Sequence, residues 1–134
     1  MAPTTEPAGR RGGLLASLLW LFVRFEGRIG RQIYWLANAM YVALAGLTVR
    51  PVIDPETGMA TIPLGGPETL MLLLLFVSNI SVAVKRLHDL GMSGLFALLM
   101  LVPLINIGFT IWIGLVPGKK GRNRFGERVD TPPG

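Results

Sequence analysis

The sequence contains no cysteine and one histidine, His88. Without thiols there is no disulfide, no thiolate metal centre and no cysteine nucleophile. One imidazole cannot build a histidine cluster within a single chain, so neither a metal nor a cofactor is expected. Charge is scarce as well. Only 16% of the 134 residues are Asp, Glu, Lys or Arg, against about 25% in ordinary soluble domains. A water-facing surface needs more than that. The 51% apolar content and mean hydropathy of +0.52 point instead to a chain solvated by lipid.

The charge that is present is sorted. All thirteen Lys and Arg lie outside the three most apolar stretches, 33–49, 69–84 and 95–116. Arg10, Arg11, Arg24, Arg28 and Arg31 precede the first, and Arg50 follows it. Lys85 and Arg86 follow the second; Lys119, Lys120, Arg122, Arg124 and Arg128 follow the third. A nucleic-acid binder would carry its cations along one helix or sheet face, so no nucleic-acid partner is expected. Cations that bracket apolar blocks are held at a membrane surface.

The expected fold is all-α: a small polytopic membrane protein with three hydrophobic helices, the third kinked or re-entrant, and an N-terminal interfacial amphipathic helix. Residues 1–13 and 129–134 read as disordered tails around one membrane domain, 14–128. Leu14–Val23 is apolar but has ten residues, half of the roughly 20 needed to cross a bilayer. Leu14, Leu15, Leu18, Leu19 and Phe22 share one helical face, which suits an interfacial helix. Arg10-Arg11 before it fits an export signal, but no small-residue cleavage site follows, so the segment is expected to stay attached. Four prolines and three glycines make 51–67 an exposed loop, acidic through Asp54 and Glu56. Pro103, Asn106 and Gly108 interrupt the third segment and predict a break there.

Three stretches resemble a single family, the bacterial membrane proteins catalogued as domain of unknown function 805. Phe25-Glu26-Gly27-Arg28-Ile29-Gly30-Arg31 with Tyr34-Trp35 is similar to its F-x-GR-x-x-R-x-x-YW signature. Lys85-Arg86-Leu87-His88-Asp89-Leu90-Gly91-Met92-Ser93-Gly94 is similar to RRLHD-x-G-x-SGW, with Lys85 in place of an Arg and Leu95 in place of the Trp. Pro117-Gly118-Lys119-Lys120-Gly121-Arg122-Asn123-Arg124-Phe125-Gly126 is similar to PG-x-x-G-x-N-x-[FY]-G. The resemblance runs over about residues 20–128. It implies a multi-pass protein of the bacterial inner membrane and carries no activity with it.

The family-like residues gather at span ends. If the first two spans are antiparallel neighbours, Arg28, Arg31, Arg86, His88 and Asp89 share one membrane face. A lone carboxylate there is costly unless paired, and a guanidinium can grip it with two N–H groups. These five residues are expected to form a structural or binding cluster, with no catalytic role. His88 beside Asp89 suggests a dyad, but neighbours on a helix point apart and no nucleophile accompanies them. Gly114–Lys120 falls one residue short of a phosphate loop and has Lys120 where Ser or Thr should bind magnesium. Lys119, Lys120, Arg122 and Arg124 read as a plain basic tail. Inside the spans, Asn38 and Asn79 lie at depths about 3 Å apart and are expected to pair across the helix interface. Ala39, Ala43 and Gly46 form a small-residue stripe that permits close helix approach.

Three full crossings would put seven basic residues on one side and six on the other; a re-entrant third segment would put twelve on one side and Arg50 alone on the other. The second arrangement obeys the positive-inside rule, with the N-terminus inside. The leading expectation for function is a non-enzymatic membrane protein whose basic face binds anionic lipid or a partner protein, either a membrane protein or a second copy of the chain. The alternatives are a small oligomeric channel or transporter, and a membrane enzyme using His88 and Asp89.

Overall fold

The computed structural model describes residues 13–62 and 65–132, so the tail expected at 1–13 falls almost wholly outside it. The chain is mostly helical. Helix α1 spans Leu14–Val23, α2 Arg31–Thr48 and α3 Pro67–Asp89; a 3₁₀ helix at Gly94–Leu101 is followed by α4 at Pro103–Leu115. Among the described residues, α3 alone is both long and apolar enough to cross a membrane by length and composition. Helix α2 has 18 residues, about 27 Å of rise.

Local chemistry sets the ends. Pro51 pushes Arg50 out of the helical region and stops α2. Helix α3 opens on Pro67, where the missing N–H has no role, with Glu68 in the first turn. It runs five residues beyond the expected end at 84, through Lys85, Arg86, His88 and Asp89. The chain then leaves through Gly91 at φ +75, a conformation side chains rarely adopt. Lys85 and Arg86, expected to follow the second span, therefore stand on the last turns of α3.

The loop expected at 51–67 contains a short antiparallel ribbon, Val52–Ile53 (β1) with Ala60–Thr61 (β2). Asp54 organises its turn, accepting from the Glu56 N–H at 2.9 Å and the Thr57 hydroxyl at 2.7 Å. These bonds, the Glu56 N–H first, hold the exposed Asp54 carboxyl below its ordinary pKa.

The third apolar segment is a hairpin. The break falls at Val102, just before Pro103, while Asn106 and Gly108 lie inside α4. Pro103 cannot donate to the preceding turn. The Asn106 side chain supplies a donor there, bonding the Met100 carbonyl at 2.8 Å. Both ends of the hairpin reach the same end of the α2–α3 pair. Gly94 packs on Val84 and His88 of α3. At the other limb, Arg86 donates to the Ile113 carbonyl at 2.9 Å, and Trp35 donates to the Gly114 carbonyl at 3.1 Å. Gly114 has to be small: a Cβ there would stand 2.6 Å from the Trp35 ring.

Burial is inverted relative to a soluble protein. Large apolar side chains cover the outside, with Leu104 at 90% exposure, while Arg28, Lys85 and Arg86 are fully buried. Two faces read from periodicity point outward. Leu14, Leu15, Leu18 and Leu19 of α1 face outward, and Trp20 is the buried residue. Because α1 is almost uniformly apolar, hydrogen bonds choose its rotation, among them Trp20 Nε1 to the Glu26 carbonyl at 2.9 Å. The Ala39–Ala43–Gly46 stripe also faces outward, and a Cβ on Gly46 would meet nothing within 4 Å. Helix α2 packs instead through Tyr34, Ala37 and Tyr41. Leu95, which replaces the family's Trp, is exposed.

Candidate functional site

Asp89 sits on the last turn of α3 at 3% exposure, and each of its carboxylate oxygens meets a different arginine. Arg28, from the segment before α2, reaches Oδ1 through Nε at 3.1 Å and Nη2 at 2.9 Å. Arg86, one turn back on α3, reaches Oδ2 at 2.6 Å. A carboxylate between two guanidinium groups leaves one positive charge to be dispersed in a dry site. Backbone carbonyls disperse it. Arg28 donates to Lys119 at 2.6 Å, Gly121 at 2.5 Å and Gly126 at 3.3 Å. Arg86 donates to Ile29 at 3.3 Å, Ile113 at 2.9 Å and Val116 at 2.5 Å. Only the planar, five-donor guanidinium can serve so many acceptors from one position.

The tail is thus threaded into the cluster. Lys119 N–H bonds the Asp89 carbonyl at 2.9 Å. Gly118 lies so close to the Asp89 carboxylate that any side chain there would collide with it. Asn123 donates to the His88 carbonyl at 2.8 Å and accepts from Phe125 N–H at 2.9 Å, closing a small turn. That turn lays the Phe125 ring flat on His88, with centroids 4.0 Å apart. Asp130 continues the tie, its N–H bonding the Arg28 carbonyl at 2.9 Å and its Oδ1 accepting from Gly30 N–H at 2.6 Å. Asp130, the second residue of the stretch expected to be disordered from 129 onward, is thus bonded to the segment before α2.

Arg28, Arg86 and Asp89 come together as one unit. His88 stands beside them and bonds elsewhere, its Nδ1 lying 3.2 Å from the Gly27 carbonyl. Arg31 is exposed and makes one long contact, 3.5 Å to the Leu115 carbonyl. The side chains of Lys119, Lys120, Arg122 and Arg124 are exposed. Asn79 Nδ2 meets Asn38 Oδ1 at 3.4 Å. Among the described residues no group of acidic and histidine side chains is placed to hold a metal.

A second polar stripe escapes a reading based on charge. Ser78, Ser81 and Lys85 lie along one side of α3. Ser78 donates to the Phe22 carbonyl at 2.8 Å, Ser81 to the Arg24 carbonyl, and Lys85 to the Leu21 carbonyl at 2.8 Å. The end of a helix leaves four carbonyls without partners, and this stripe receives those around the end of α1. The Lys85 ammonium stands at the negative end of the α1 dipole, with the Trp20 ring centroid 5.5 Å away. A lysine without a carboxylate can be fully buried there for that reason. The i, i+3, i+7 spacing of Ser78, Ser81 and Lys85 was the available signal.

The profile of the family described as "Protein of unknown function (DUF805)" matches residues 22–127. Two relatives are 32% identical. The inner membrane protein YhaI of Escherichia coli K12 aligns over 111 residues, 83% of this chain and 90% of the relative. The inner membrane protein YhaH of the same strain aligns over 115 residues, 84% of this chain and 92% of the relative. No solved structure matches.

Proposed function

The chain belongs to the DUF805 family, and from that premise we propose a non-enzymatic inner membrane protein with two crossings, one re-entrant hairpin and a basic cytoplasmic face that binds anionic lipid. The observation that carries this reading is the inverted burial: an apolar exterior around buried cations, with the described Lys and Arg residues, Arg50 excepted, in segments that meet at one end of the α2–α3 pair. Its relatives are named inner membrane proteins. The 3₁₀ helix rises about 16 Å and α4 about 20 Å. Neither matches a hydrocarbon core of about 30 Å, whereas α2 and α3 come close to it or exceed it.

With α2 and α3 crossing and the hairpin returning, twelve of the thirteen cations face one side. That side is the cytoplasm by the positive-inside rule. Phosphatase fused to either terminus should therefore stay in the cytoplasm and be inactive, and a cytoplasmic reporter fused there should be active. A periplasmic C-terminal phosphatase with activity would mean that the third segment crosses, and the hairpin reading would fail.

The buried arginines are fully engaged, so the lipid contacts fall to Arg31, Lys119, Lys120, Arg122 and Arg124. Each contributes about 1 kcal/mol beside an anionic leaflet. Purified from membrane in mild detergent, the protein should retain anionic phospholipid above its bulk proportion. Replacing Lys119, Lys120, Arg122 and Arg124 with Gln should remove most of that enrichment without altering thermal stability. Equal retention by both proteins would refute lipid binding at this face. The saturated Asp89 and the stacked His88 support the non-enzymatic reading over an acid–base pair.

A further inference from the structure

A hairpin that enters half a bilayer leaves the other half of the α2–α3 pair uncovered. Beyond its tip the structure has a groove of about 420 Å³. Asn38, Asn79, Asn106 and Thr110, drawn from three helices, line its polar end, while residues such as Ala45 and Leu72 line the rest. Asn79 stands ten residues before Asp89 and twelve after Pro67. At 1.5 Å per residue that is about 15 Å and 18 Å, the middle of the membrane on the reading above.

Amides at that depth are expensive unless bonded, and internal bonds use only part of their capacity. Asn106 is occupied within the hairpin, donating to the Met100 carbonyl and accepting from the Thr110 hydroxyl at 3.2 Å. Asn38 donates to the Tyr34 carbonyl at 2.8 Å and accepts from Asn79 at 3.4 Å, a long bond. Among the described residues nothing donates to Asn79 Oδ1. The groove therefore offers one free acceptor and a weakly engaged donor from the same side chain.

We infer that this groove binds a neutral lipid whose head bears a carbonyl or hydroxyl oxygen, such as an isoprenoid quinone or its reduced form, with its tail along the apolar wall. The head must be neutral because no charged side chain lines the groove, and a phosphate or ammonium would lose its hydration without compensation. An acyl chain would leave the amide unpaired. A quinone carbonyl accepts from Asn79 Nδ2, and a hydroxyl donates to Oδ1. The size lies within the range of small-molecule sites, about 300–1,000 Å³.

The inference rests on α2 and α3 crossing the bilayer, so its test carries a control for that. The full chain is reconstituted in phosphatidylcholine vesicles and titrated with a benzoquinone carrying two isoprene units, the readout being quenching of the fluorescence of its three tryptophans, Trp20, Trp35 and Trp112. The wild type should show a saturable component above the linear collisional background. Asn79→Leu removes the amide, and Ala45→Phe fills the wall with every amide in place. Asn79→Leu should raise the half-saturating quinone fraction by about tenfold, the equivalent of one hydrogen bond, and Ala45→Phe should raise it at least as far by filling the space of the tail. Linear quenching in the wild type, or saturation indifferent to both substitutions, would mean that hydrocarbon or water fills the groove, and the inference would be overturned. Flotation of the same vesicles after a carbonate wash reports the crossing separately. Protein that fails to float defeats the membrane reading, and this inference with it, before any quenching is read.

Discussion

Asp89→Asn should cost about 3–5 kcal/mol of unfolding stability in detergent, the range for breaking a buried ion pair by removing one partner. The size follows from what stays behind. Arg28 and Arg86 are fully buried, and without the carboxylate they face each other across a dry site with only carbonyl dipoles between them. Arg86→Gln should do comparable damage by leaving Asp89 with Arg28 alone and by withdrawing donors from the Ile113 and Val116 carbonyls. The double variant Asp89→Asn/Arg86→Gln should lose less than the sum of the two, because partners in one network are not additive. Fully additive losses would mean that the residues do not interact. Normal stability in Asp89→Asn together with a lost cellular phenotype would move Asp89 from a clasp to a functional site.

Much of this arrangement is legible in the chain. Short apolar blocks bracketed by cations, and a carboxylate next to arginines at a span end, are composition and spacing, which survive any detail of packing. The approach of Asn79 to Asn38 follows from helical rise once the two spans are taken as antiparallel neighbours. The rotation of α1 is not legible, since LLASLLWLFV is almost uniformly apolar and is oriented by the Trp20 indole bond together with the Ser78, Ser81 and Lys85 donors of α3. The direction of the Ala39–Ala43–Gly46 stripe is hidden for a related reason: small residues permit close approach but do not demand a partner. Lys85 misleads because a cation at a span end looks like a surface anchor. Its burial depends on α1 bringing a helix C-terminus to it from more than sixty residues away. The tail is the largest omission. Pro117–Gly118 and the glycines after it read as irregular chain with a basic surface, and that composition does not show that its carbonyls are what the two arginines need.

That role gives the second large effect. A chain ending at Val116 should be about as unstable as Asp89→Asn. It deletes the Lys119, Gly121 and Gly126 carbonyls that hold Arg28 and the Phe125 ring on His88. A hydrogen bond to a charged group contributes about 1.5–3 kcal/mol, but truncation also lets water reach Arg28, so the loss should fall well short of three such bonds. Gly118→Val separates the tail's position from its presence. It keeps every carbonyl in the chain but forces a side chain into the Asp89 carboxylate, and should reproduce most of the truncation's effect. The Gln substitutions at Lys119, Lys120, Arg122 and Arg124 provide the opposite contrast, since they leave the carbonyls in place and remove only exposed charge. They should melt with the wild type while losing anionic lipid. A truncated chain with unchanged stability would show that the tail lies outside the cluster. Arg28 would then need other partners to be buried at all, and the convergence of the three family-like stretches on one clasp would have to be given up.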